Sequence, residues 1–366
     1  MSNYLEFSHQ TQLGDYITAL AWSPLDGWLA GAAGNGVVQL IQGGECSVWE
    51  VSVLQAGQLY SIDAIGFSAD GQWLAAGGQN GAIALWQIHQ AGAEHFDTLE
   101  CASTWIDCLA WHPHQNLLAF PEGIAVKVWD ADHGRLQVHL LAAGTPQDLA
   151  WSPNGKYLAI ASQNVVHLWN AEDWNDSLYQ WELMSPGMKL SWSADSRYLA
   201  VSIRDNSVGI LDWKKTSQLG RSPRKLPKRS PQADDELPAL LQGFPAKVRQ
   251  VAWANLADPD APALLAVPTQ EIITLWRDRP GGWESWALEF HRGKVLDVAF
   301  QPGTDCLASL GEDGHICLWQ AGLEPMQVMD RVASGLSSLA WSADGRQLAV
   351  GGQAGEVTVW EVPRML

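Results

Sequence analysis

The sequence predicts an all-β fold, a closed ring of small four-stranded sheets, from three repeating features. The first is a short apolar strand that ends in an aromatic residue. It recurs at Ile17–Trp22, Ile62–Phe67, Ile106–Trp111, Pro146–Trp151, Gly187–Trp192, Val248–Trp253, Val295–Phe300 and Leu336–Trp341. The second is a Leu-Ala pair seven residues after the aromatic, at Leu29, Leu74, Leu118, Leu158, Leu199, Leu307 and Leu348. In the sixth unit the pair comes twelve residues on, at Leu265, after the Pro- and Asp-rich LADPDAPA. The third is a Gly/Asn/Asp turn followed by a strand that closes on Trp86, Trp129, Trp169, Trp276, Trp319 or Trp360, with Ile41 and Leu211 in that slot in the first and fifth units. Successive aromatics lie 45, 44, 40, 41, 61, 47 and 41 residues apart. About four strands in each such period mark a β-propeller.

Each element has its own chemistry. The strands are β-branched and aromatic runs bounded by turn residues. Ser-Pro-x-x-Gly and Ala-Asp-Gly stretches between first and second strands read as hairpin turns. After Trp360 only EVPRML remains, so the eighth unit lacks an outer strand. The N-terminal NYLEFSHQTQ has strand character and is expected to complete that unit, closing the ring and removing a free edge. The expectation is one propeller domain over residues 1–366 with eight four-stranded blades. Seven is the alternative, in which the fifth unit, without a closing Trp, is the one to drop.

Residues 291–319 could be mistaken for a catalytic or metal site: HRGKVLDVAF followed by LASLGEDGHICLW. Their register with the sister units gives another meaning. Here the chain resembles the WD-repeat β-propeller family, over essentially its whole length. His291-Arg-Gly-Lys-Val295 is similar to the family's Gly-His loop, with Phe290 where Gly is usual. Asp313-Gly-His-Ile-Cys-Leu-Trp319 is similar to its turn and closing strand. The resemblance implies a structural tetrad, His291, Ser309, Asp313 and Trp319, so His291 is expected to be scaffold. The sister units lack the pattern: their turn slots hold Asn35, Asn80, Gly123, Gln163, Asp205, Gln270 and Ala354. Trp and aliphatic packing must hold those blades, which fits a count of 21 Trp.

Composition sets outer limits. The chain has 366 residues, 47% hydrophobic and 17% charged, which suits a globular repeat protein. No run of 18 apolar residues exists, so no membrane span is expected. The N-terminus does not read as a secretory signal, and five scattered Cys do not make a disulfide framework. A cytoplasmic location is the expectation. A net charge of −18 opposes nucleic acid and anionic membranes.

One segment runs against that charge. The insertion at 214–246 carries Lys214, Lys215, Arg221, Arg224, Lys225, Lys228 and Arg229 before its first acid, Asp234. Pro and Ser punctuate it, so it reads as an irregular loop. Three uses compete: a solvated loop, a docking arm for an acidic partner or the molecule's own acidic rim, and a nucleic-acid contact. The last lacks interleaved aromatics for stacking.

In the family the loops leading into the inner strands gather around the central channel. By that register, positions four and six before the inner aromatic include Tyr16, Asp63, Trp105, Asp107, Met188, Lys247, Arg249, Lys294 and Leu296. Trp105 and Arg249 are the preferred partner anchors, by residue type. Charge changes around this ring, from Asp63 and Asp107 to Lys247, Arg249 and Lys294, and would orient a polar partner. Cys101, Cys108, His112 and His114 offer thiolate and imidazole ligands suited to zinc, at a spacing that is weak support. No phosphate loop, H-E-x-x-H, C-x-x-C or G-x-S-x-G occurs. The function expected is therefore a non-enzymatic protein-interaction scaffold without a cofactor. A metal-binding or metal-delivery accessory protein is the alternative, and a channel-centred hydrolase comes last.

Overall fold

The computed structural model describes residues 3–25, 27–43, 49–101, 105–218, 238–258, 260–320, 323–329 and 335–363. Eight antiparallel sheets of four strands form a β-propeller. Blade four shows the common order, inside to outside: Pro146–Trp151, Tyr157–Ser162, Val165–Asn170 and Asp173–Glu182. The eighth blade is closed by the N-terminus. Strand Glu6–Gln12 pairs antiparallel with Glu356–Glu361, so the first and last strands share one sheet.

The repeated Leu sets the register. In every blade it stands opposite both the inner-strand aromatic and the closing residue of the third strand. Leu158, for example, pairs with Trp151 and Trp169, and Leu199 with Trp192 and Leu211. Leu29, Leu74, Leu118, Leu158, Leu199, Leu265 and Leu348 are fully buried. Each such side chain contributes about 1.5–3 kcal/mol of burial free energy.

The Trp residues do more than fill space. Each inner-strand Trp donates its indole N–H to a backbone carbonyl of the preceding blade. Trp22 reaches Ala340 at 3.0 Å, Trp111 reaches Gly66 at 2.9 Å, and Trp151 reaches Ala110 at 3.1 Å. Trp192, Trp253 and Trp341 do the same to Ala150, Ser191 and Ala299. Phe67 and Phe300 have no N–H, so the second and seventh blades lack this tie.

The insertion departs from the expected irregular loop at both described ends. Trp213–Gln218 is a short helix, and Ala239–Leu241 is the outer strand of the fifth blade. Asp212 caps the helix, its carboxylate accepting from the Lys215 N–H at 3.0 Å. Trp213 is buried beside Tyr157 and Tyr179, which pins the helix to blade four. Lys214 and Lys215 are thereby displayed to solvent. Arg221, Arg224, Lys225, Lys228 and Arg229 lie outside the described residues.

Candidate functional site: the channel face

Two inner strands are much shorter than the sequence pattern suggests. Blade three is regular only at Ala110–Trp111 and blade six only at Ala252–Trp253. In both, the second strand carries proline three residues after its Leu: Pro121 in Leu117–Glu122 and Pro268 in Leu264–Thr269. The other six blades place Ala32, Gly77, Ala161, Ser202, Leu310 or Gly351 there, and each pairs with the inner strand. Proline has no N–H to give to a ladder. The inner pairing stops after two residues, while pairing to the third strand continues through Pro121 and Pro268. The residues freed from the ladder, 105–109 and 247–250, contain Trp105 and Arg249.

At blade six the break opens into a cavity of about 200 Å³. It is lined by Lys247, Arg249, Gln250, Pro268, Thr269 and Gln270 of that blade, Lys294, Val295 and Leu296 of the seventh, Ser337 of the eighth and Tyr16 of the first. Five of the residues expected at the channel, Tyr16, Lys247, Arg249, Lys294 and Leu296, thus meet around one space. Lys247 and Arg249 have no ion-pair partner among the described residues, and the Lys294 ammonium lies 4.0 Å from Glu312. A basic arc therefore interrupts an acidic molecule.

Trp105, Asp63, Asp107 and Met188 lie outside that cavity. Trp105 is 54% exposed and donates its indole N–H to Asp63 at 2.6 Å, while Ser61 donates to the same carboxylate oxygen at 2.9 Å. Sequence reasoning missed neighbours on the same loops. Leu59 and Tyr60 precede the second inner strand and Met184 precedes the fifth, all three exposed. Their signal was present: large apolar residues inside the polar loop contexts AGQLYS and LMSPG.

The tetrad residues form one hydrogen-bonded chain. His291 Nδ1 lies 3.2 Å from both Asp313 oxygens, and Nε2 lies 2.9 Å from Ser309 Oγ. The Trp319 indole donates to Ser309 Oγ at 2.9 Å. The consistent pattern has Nδ1–H donating to Asp313 and the Ser309 O–H donating to Nε2. Burial lowers the His291 pKa against the opposing pull of Asp313. Burial alone would raise the Asp313 pKa, but hydrogen bonds from the Arg292 and His315 N–H groups outweigh it and hold it below the ordinary value. Gly311 is required here, because a Cβ would stand 2.6 Å from both Asp313 Oδ1 and His291 Nδ1. The chain fixes the 291–295 loop and with it Lys294. The sister indole nitrogens of Trp129, Trp169 and Trp276 are buried without a partner, since the position of Ser309 is taken by Phe120, Ile160 and Val267 in those blades.

The Cys/His cluster of blade three does not assemble. His112 Nδ1 accepts from the His114 and Gln115 N–H groups, and Nε2 lies 2.9 Å from the Gly155 carbonyl oxygen. Both ring nitrogens are thus committed to backbone. Cys101 and Cys108 are buried, their thiols pushed up, that of Cys101 to about 12 by burial. Among the described residues no three His, Cys, Asp or Glu groups gather as metal ligands. No helix among them is long and apolar enough to cross a membrane.

The fold and its repeats define the class. The family model "WD domain, G-beta repeat" matches residues 49–87, 135–170, 283–320 and 325–361, and the chain belongs to the WD-repeat β-propellers. Similarity extends to coronin-7 of Rattus norvegicus, 32% identical over 191 residues, covering 49% of this chain and 18% of that protein. The LST8 homolog of Drosophila melanogaster is 26% identical over 166 residues, covering 42% of this chain and 51% of that protein. The chain thus matches about a fifth of the length of coronin-7. Among solved structures, Sqt1 from Chaetomium thermophilum superposes with a TM-score of 0.74 at 19% identity, covering 98% of this chain and 100% of that one.

Proposed function

We propose that the chain is a protein-interaction scaffold without enzymatic activity, acting in the cytoplasm, and that its partner seats on the channel face. One observation carries the reading. Large exposed apolar side chains collect on the loops that lead into the inner strands: Tyr16, Leu59, Tyr60, Trp105 and Met184. The equivalent loops of blades six and seven carry the basic residues Lys247, Arg249 and Lys294, and Tyr16 lines the same cavity as these three. Exposed aromatic and apolar side chains with Arg among them are the residue types of an interface centre. The WD-repeat family and the partial likeness to coronin-7 and the LST8 homolog support the same reading.

Charge reversal Arg249→Glu combined with Trp105→Ala should abolish partner capture from the source cell's lysate. Both side chains are exposed, so the thermal transition should not move. Unchanged capture by the double variant would refute the channel face as the binding surface. Deletion of 219–237, run in parallel, assigns any residual capture to the basic insertion.

A further inference from the structure

We propose that the cavity at blade six binds a phosphate monoester. Two hydroxyls at the cavity lack partners. Thr269 is only 2% exposed, lines the cavity, and its Oγ1 has no hydrogen-bond partner. Ser337, on the eighth blade, lines the same space, and its Oγ is likewise buried without a partner. A buried hydroxyl without a partner costs free energy, and two of them on residues that line one cavity point to a ligand that would supply the acceptor once the side chains turn toward it.

The surrounding charge names that acceptor. Lys247, Arg249 and Lys294 bring three positive charges, and Glu312 is the one carboxylate within ion-pair reach of them among the described residues. The balance matches the charge of about −1.5 to −2 that a phosphate monoester carries near neutral pH. Arg and Lys with hydroxyl donors are the groups that hold phosphate oxygens. A lone carboxylate has half that charge and fewer oxygens, and would leave donors unmet. The volume of about 200 Å³ exceeds the ~30 Å³ share of a single water several-fold, so a phosphoryl group fits. Tyr16 and Leu296 line the same cavity and would contact the atoms that carry the phosphate. The scaffold reading bears only on the source of the phosphate, which that reading places on a partner side chain.

The test is calorimetric titration of the full chain in phosphate-free buffer of low ionic strength. Three probes are used: inorganic phosphate, a phosphoserine peptide, and the same peptide with glutamate at that position. Saturable binding of one phosphate per chain is expected, with the glutamate peptide at least tenfold weaker than the phosphopeptide, about the loss of one charge-assisted bond. Arg249→Gln should weaken phosphate binding about tenfold or more, and the near-isosteric Thr269→Val about threefold to tenfold. The exposed Arg249 variant guards against misfolding of the buried one. A phosphopeptide tighter than free phosphate supports a protein source, and the reverse order supports a free anion in the same pocket. Absence of saturable phosphate binding overturns the proposal, as does equal affinity for the glutamate peptide or wild-type affinity in both variants. Phosphate binding together with failed partner capture would keep the pocket and remove the scaffold reading. Capture without phosphate binding would do the opposite.

Discussion

Blades three and six carry the same break and opposite charge. Pro121 and Pro268 occupy matching positions and end the inner ladder at the same point. The freed segment holds Trp105 and Asp107 in one blade, Lys247 and Arg249 in the other. The likeness continues one blade on. Asp148 of blade four accepts from the Leu190 N–H at 2.7 Å, and Asp297 of blade seven accepts from the Leu339 N–H at 2.9 Å. The difference lies in the countercharge. Lys189 lies 3.2 Å from Asp148, whereas Asp297 has no cation within ion-pair distance among the described residues. One backbone device, a missing N–H, thus serves two chemistries, and the side chains around it decide which.

The contrast can be broken from several sides. The largest effect on stability is expected from His291→Ala, which removes the link between Asp313 and Ser309 behind Lys294. Unfolding should show a loss of about 2–3 kcal/mol, since charge-assisted and buried hydrogen bonds go together. Phosphate binding should weaken as well, because the 291–295 loop loses its anchor. A stability loss with phosphate affinity intact would separate the tetrad from the basic arc.

Pro268→Ala should return one ladder donor, a gain of about 0.5–1.5 kcal/mol offset by greater freedom of the unfolded chain. Amide exchange over 248–253 should slow and the cavity should narrow. Pro121→Ala should slow exchange over 106–111 without touching phosphate binding. If neither variant changes exchange, proline is not what ends these strands.

The smallest effect concerns pH. Burial pushes the Asp297 carboxyl from the ordinary 3.8 up to about 6, against hydrogen bonds from Leu339, Gln250 and Val298. The folded chain therefore holds more protons than the unfolded chain across that window. This contribution to stability is present at the acid end and is lost as pH rises through about 6. Asp297→Asn should flatten the profile between pH 4 and 6 in denaturant titrations. Burial also raises the Asp148 carboxyl, with Lys189 opposing it. Asp148→Asn should instead lower stability at neutral pH, because it leaves Lys189 unpaired. Identical profiles for the two variants would erase the contrast.

The ring was legible because its register rests on one residue type per strand. The Leu, the inner aromatic and the closing Trp recur in sequence, and they pair directly in space. N-terminal closure followed from the missing outer strand. The truncated inner strands were visible too, as the parallel LLAFPE and LLAVPT, but apolar periodicity masked them. The orphan hydroxyls of Thr269 and Ser337 were not legible. Their meaning depends on burial and on residues brought in from four blades. The spacing of Cys101, Cys108, His112 and His114 was weak support for a metal, and sequence proximity did not reveal that His112 meets backbone through both ring nitrogens. The helix at Trp213–Gln218 was hidden inside a basic run, although Asp212 stands at its cap.

The most direct test of the interface is amide exchange on the full chain, free and bound to its captured partner. Exchange should slow at 56–61, 105–109, 247–250 and 294–296, the segments bordering the channel. Protection confined to outer strands such as Trp49–Gln55 or Glu6–Gln12, with those loops unchanged, would contradict a channel-face interface.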